Sequence, residues 1–212
     1  MREKIIATDR DNLELLIEKE VKQYGNRCNL NHIDISKVTD MSGLFCDSEF
    51  NGDISNWDTS NATDMSYLFH LSKFNGDISL WDVSKVKYMS GLLANSKFNN
   101  DISNWNVSKV TSINHLFYKS KFNGDISKWN TSKVTDMSRS FSKSKFTGDI
   151  STWRPLKVED TTDMFLNCKA PIPYWLGGSN DKIVKKIQCY DLFNKINGDL
   201  VNKEIKTKKL KI

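Results

Sequence analysis

The chain of 212 residues carries 31 Lys+Arg against 26 Asp+Glu, a formal net charge of +5, and 38% of it is hydrophobic. That apolar share is low for a thick globular core, and no apolar run is long enough to span a bilayer. Residues 180–212 hold nine Lys and four Asp+Glu, so the excess charge belongs to the C-terminal tail and the remainder is balanced.

In chain order, "KIIAT" (residues 4–8) predicts a short strand. "DRDNLELLIEKEVKQYG" then reads as an amphipathic helix. Asp9 or Asp11 is its expected cap, Leu13, Leu16, Ile17 and Val21 its apolar face, and Gly25 its stop. Residues 1–27 are therefore expected to form an N-terminal helical cap.

Residues 28–168 repeat. Phe50, Phe74, Phe98, Phe122 and Phe146 lie 24 residues apart, and so do Trp57, Trp81, Trp105, Trp129 and Trp153. "FNGDISNW" returns as "FNGDISLW", "FNNDISNW", "FNGDISKW" and "FTGDISTW". "NLNHIDISKVTDMSGLF" fits the register upstream, and "RPLKVEDTTDMF" keeps it downstream in degenerate form. A fixed period of this length signals stacked units, here about six, that share one narrow core.

Within a unit, Ile54, Trp57 and Thr59 carry the spacing of a short strand and its approach, with Trp57 and Thr59 pointing inward. Met65, Leu68 and Phe69 follow at the spacing of a helical turn, with Ser60 or Asp64 as its cap. Gly52, Gly76, Asn100, Gly124 and Gly148 share one position, which predicts a left-handed turn residue. Asp53, Asp77, Asp101, Asp125 and Asp149 come next and are expected to accept backbone N–H groups. Asn51, Asn75, Asn99 and Asn123 are expected to stack amide on amide.

After the array, "APIPYWLGG" breaks the register with two prolines and two glycines. A second helix is expected from about residue 180 to 197, with Ile183, Val184, Ile187 and Phe193 on its apolar side. The basic end "NKEIKTKKLKI" completes a C-terminal cap and tail over residues 169–212.

The repeat "FNGDISNWDTSNATDMSYLF" resembles that of bacterial BspA-like proteins, a divergent leucine-rich-repeat class of surface proteins and mycoplasmal lipoproteins. The resemblance covers roughly residues 28–168. It implies a repeat solenoid, a leucine-rich-repeat-like right-handed coil with a parallel β-sheet on one face and short helical turns on the other. It also implies binding of other macromolecules and no enzymatic activity.

Little in the residues points to catalysis. His32, His70 and His115 occupy three different repeat positions, with His32 outward on the first strand and the others on or beside the helical back. No nucleophile–base motif or phosphate loop occurs. Cys28, Cys46, Cys168 and Cys189 show no metal-ligand spacing and read as reduced thiols. One Asp per 24 residues is too sparse for a calcium roll. No enzyme activity, cofactor or metal is therefore expected.

Function is sought at the outward positions. The column before the tryptophan reads His32, Asn56, Leu80, Asn104, Lys128, Thr152. The column after it reads Asp34, Asp58, Asp82, Asn106, Asn130, Arg154. Together they make the expected concave face acidic in its N-terminal half and neutral to basic in its C-terminal half, a polarity suited to a protein partner. One lysine column, Lys37, Lys85, Lys109, Lys133 and Lys157, forms a basic edge interrupted by Asn61. Another, Lys73, Lys97, Lys121 and Lys145, is led by Glu49. The reading is a non-enzymatic protein-binding scaffold that acts through the concave face and C-terminal half, as an inhibitor of or adaptor for another protein. The alternatives are a cell-surface or host adhesin and an electrostatic nucleic-acid binder using the lysine columns and tail. The expected location is cytoplasmic, since the N-terminus shows no signal region, with the cell surface as the alternative. The C-terminal cap offers a face for homodimerisation.

Overall fold

The computed structural model describes residues 3–177, 179, 181–192 and 194–195. Strand β1 (Ile5–Ile6) pairs in parallel with β2 (Ile33–Asp34). Helix α1 (Arg10–Tyr24) lies between them. Asp9 is extended and its carboxylate accepts the Asn12 N–H at 2.9 Å, the expected cap. Gly25 stops the helix at φ 82°, donating to the Val21 carbonyl at 2.8 Å. Leu13 and Ile17 are buried, with Leu16 and Val21 packed beside them. Two polar contacts fix the helix on the first repeat. Arg10 Nε donates to the Ser42 carbonyl at 2.8 Å, and buried Glu20 meets His32 Nε2 at 3.3 Å.

The expected right-handed coil with a parallel sheet face and a helical back is not found. Among the described residues the only strands are β1 and β2, of two residues each, and the only helices are α1 and residues 181–192 and 194–195. Turns make up the repeats. The presumed strand from Ile54 to Thr59 is a turn closed by the Trp57 N–H on the Ile54 carbonyl at 3.2 Å, followed by a second closed by Ala62 on Thr59 at 2.9 Å. The presumed helical turn fails for a plain reason. A helix keeps its N–H groups within its own segment. Here Met65, Tyr67, Phe69 and Leu71 instead donate to Tyr88, Ser90, Leu92 and Ala94 of the next unit, at 2.8–3.0 Å. Tyr67 and Leu71 both take φ 58°, which a right-handed helix forbids. The same ladder joins each unit to its successor from Met41 to Leu166.

The aromatic columns fill the space inside the turns. Phe50, Phe74, Phe98, Phe122 and Phe146 stack with ring centroids 6.2–6.5 Å apart. Each repeat tryptophan is buried and its indole N–H donates to a carbonyl 27 residues earlier, from Trp57 to Leu30 through to Trp153 to Ile126. Thr59 is buried as expected and its hydroxyl bonds the Asp82 carbonyl at 3.0 Å.

The glycine column has a different cause from the one expected. Gly52, Gly76, Gly124 and Gly148 are not among the residues with positive φ. They are small because the phenylalanine two residues earlier folds over them. A Cβ on Gly76 would meet the Phe74 ring at 2.7 Å. The asparagine column also bonds differently. The side-chain oxygens of Asn51, Asn75 and Asn99 accept the backbone N–H of Asn75, Asn99 and Asn123 at 2.7–2.8 Å, not one another's amides.

Beyond the array, Trp175 is fully buried and Ile183 and Ile187 are buried on the helical segment. Phe193, the end of the expected helix and the basic tail lie outside the described residues. No described helix is long and apolar enough to cross a membrane.

Candidate functional site

The column after the tryptophan is first of all a row of turns. The carboxylate or amide oxygens of Asp34, Asp58, Asp82, Asn106 and Asn130 accept the N–H two residues on, from Ser36, Ser60, Ser84, Ser108 and Ser132, at 2.9–3.2 Å. Asp and Asn are the side chains that close such a turn on themselves. Half of what reads as a binding column is thus needed for folding. What differs between units is the second oxygen or the NH2, and with it the charge.

The two ends of the column are already engaged. Asp34 is ion-paired to Lys4 at 2.9 Å, and that hydrogen-bonded ammonium, with Ser36, lowers its pKa to about 2. Arg154 pairs with Asp191 at 2.9 Å and lies over the Tyr190 ring at 5.7 Å, so it holds the C-terminal helical segment rather than facing outward. Asn56, Asp58, Leu80, Asp82, Asn104, Asn106, Lys128 and Asn130 are exposed together. Leu80 stands out at 85% exposed. Asp82 titrates below its usual range because the Ser84 hydroxyl and N–H bond it and Lys85 and Lys109 lie near.

That last effect places the basic edge beside the acidic column. Lys85, Lys109, Lys133 and Lys157 are exposed, and Lys85 Nζ reaches Asn61 Oδ1 at 2.7 Å, filling the gap in the row. The other lysine column is also exposed, with Lys73 paired to Glu49 at 3.0 Å. A cavity of about 310 Å³ lined by Lys4, Asp34, Asn56 and Asp58 lies at the N-terminal end of the face, shallow and polar.

Other residues fall where sequence reasoning did not put them. His32 is not outward but half-buried against Glu20. His70 and His115 lie on the turn ladder, edge-on to Tyr67 and Tyr118 at 5.8 and 5.5 Å. Asp40, Asp64, Asp136 and Asp160 form a further row of self-closing turns on Ser42, Ser66, Ser138 and Thr162, which their shared repeat position could have revealed. Cys46, Cys168 and Cys189 are free thiols, and Cys28 is buried. Among the described residues no three His, Cys, Asp or Glu side chains are grouped to hold a metal ion.

The repeat is not unique to this chain. A family described as "Mycoplasma protein of unknown function, DUF285" matches residues 17–120 and 93–175. No curated protein and no solved structure matches. The two matched stretches overlap and together span well over half of the 212 residues, so the chain belongs to this DUF285 family.

Proposed function

We propose that the protein is a non-enzymatic scaffold that binds another protein through the exposed rows before and after the tryptophans. The carrying observation is Leu80, a large apolar side chain 85% exposed amid Asn56, Asn104, Asp58 and Asp82. Nothing in folding requires a leucine there, since the other units hold His, Asn, Lys or Thr at the same position. An apolar contact ringed by polar groups suits a protein partner that presents an apolar pocket rimmed by Lys or Arg. The repeat itself we read as BspA-like, a reading the family match supports.

The test is affinity capture from extracts of the source organism with the whole chain as bait. One specific partner should be recovered, and it should be lost with Asp58→Lys/Asp82→Lys and with Leu80→Glu. Capture that is unchanged by both variants rejects this face. Labelling intact against permeabilised cells decides whether that partner is to be sought inside the cell or at its surface.

A further inference from the structure

A different face of the repeats carries a second, independent feature. In the fourth and fifth units Lys119 and Lys121 flank buried Ser120, and Lys143 and Lys145 flank buried Ser144. The backbone ties the two pairs together: Lys119 N–H donates to Ser142 O at 2.9 Å, and Lys145 N–H to Ser120 O at 3.0 Å. Parallel bridges set successive units about 4.8 Å apart. The four lysines therefore occupy two-by-two neighbouring backbone positions, and all four residues are exposed. Among the described residues none of them has an ion pair.

Beside this patch is a cavity of about 170 Å³ lined by Tyr118, Arg139, Ser142, Lys143, Asp163 and Leu166. Lys119 Nζ lies over the Tyr118 ring at 5.2 Å. Two carboxylates face the group. Asp163 pairs with Arg139 at 3.3 Å, and Asp136 lies near His115. His115 titrates below its usual value, first through burial, with Arg139 lowering and Asp136 raising it. The tryptophans are buried, but Tyr118 is half-buried, and Tyr88 and Tyr67, one and two units before it, are 48% and 46% exposed. Lysines interleaved with aromatic rings are what a flexible phosphodiester strand needs. The cations meet its phosphates, and the rings take its unpaired bases. A folded duplex would present no base faces to the rings, and a sulfated glycan or lipid surface would use the charges alone.

We infer that Lys119, Lys121, Lys143 and Lys145, with Arg139 and Tyr118, form a binding site for single-stranded nucleic acid. The inference does not depend on the protein-binding face and fails or stands separately from it.

The experiment uses the whole chain and a fluorescein-labelled oligothymidylate of about 15 nucleotides, followed by polarisation. Binding should weaken about 50-fold between about 50 and 200 mM salt, as four single-strand phosphate contacts require. Lys119→Glu/Lys143→Glu should weaken it at least about tenfold, with the thermal melt unchanged. Tyr118→Ala should cost about tenfold by removing one stacked base. A variant with Lys206, Lys208, Lys209 and Lys211 changed to Gln separates the basic tail, and it should keep most of the binding. Loss in the tail variant with retention in the Lys119→Glu/Lys143→Glu variant overturns the site. Equal affinity for inorganic polyphosphate or for anionic phosphatidylserine vesicles, indifferent to Tyr118→Ala, overturns the nucleic-acid assignment.

Discussion

The indole Nε1 of Trp129 donates to the carbonyl of Ile102, 27 residues earlier, at 3.1 Å. The same ring stacks on Trp153 at 6.3 Å. One side chain thus fills the core and satisfies a buried carbonyl of the preceding unit. Trp129→Phe keeps most of the packing and leaves that carbonyl with the Trp105 N–H alone, at 3.2 Å, so it should cost about 0.5–1.5 kcal/mol. Trp129→Ala adds a cavity and should cost about 3–5 kcal/mol. Urea titration of both variants checks this. An unchanged midpoint in Trp129→Phe would mean that the hydrogen bond contributes nothing.

Gly76 is held small by a ring and not by its backbone angle. In Gly76→Ala the new Cβ meets the Phe74 ring at 2.7 Å, and that ring is locked between Phe50 and Phe98. The ring cannot give way, so the variant should lose about 1–3 kcal/mol. Gly76→Ala/Phe74→Leu should recover part of that loss by removing the ring, as a thermal melt would show. A left-handed requirement at Gly76 would instead leave the double variant as unstable as the single one.

Acid should loosen the repeats. Asp77, Asp101, Asp125 and Asp149 titrate below the usual 3.8 because the N–H or hydroxyl of the serine two residues on bonds the charged form. Asp34, bonded by Lys4, falls to about 2. The unfolded chain therefore binds protons at a higher pH than the folded one. The stabilisation is complete above the unfolded value and is lost as pH falls through the folded values. The melting temperature should hold from about pH 7 to 5 and drop between about pH 4 and 2. In Lys4→Ala the NMR titration of the Asp34 carboxyl should move up from about 2 toward 3.8. An unmoved midpoint would show that Lys4 is not the cause.

Leu71 sits at φ 58° and shares its repeat position with Asp47, Asn95, Lys119, Lys143 and Asn167, all at φ 52–58°. A left-handed residue with a Cβ is strained by about 1–2 kcal/mol, least for Asn and most for β-branched side chains. Leu71 is half exposed, so little burial is at stake. Leu71→Asn should raise the melting temperature, and Leu71→Val should lower stability by about 1 kcal/mol. Indistinguishable melts would remove the strain argument.

These positions also mark where the sequence was legible. The 24-residue period, the Phe and Trp columns, the Asp9 cap and the Gly25 stop are all visible in the letters, because each depends on one residue type doing one thing. The path of Met65 to Leu71 is not. Apolar residues at i, i+3 and i+4 bury one face of a helix, and they equally bury one side of a laddered turn. The difference lies in φ at Tyr67 and Leu71, where Gly43 and Gly91 at the first position and Asn95 and Asn167 at the second are the equivalents that hint at a left-handed backbone. The candidate face was legible in location but not in meaning. Asp58 and Asp82 are exposed where expected, yet one oxygen of each is committed to its own turn. Arg154 was misplaced because its partner, Asp191, lies 37 residues away in sequence.

The Arg10 guanidinium donates to Ser42 O, the carbonyl whose counterparts Ser66 O and Ser90 O receive Gly43 N–H and Tyr67 N–H from the unit before. No unit precedes the first, so a side chain borrowed from α1 acts as a counterfeit rung. The ladder has a sense, like a zipper whose teeth all lean one way, and Arg10 is its end stop. A chain lacking that arginine would present a bare carbonyl at the start of the ladder.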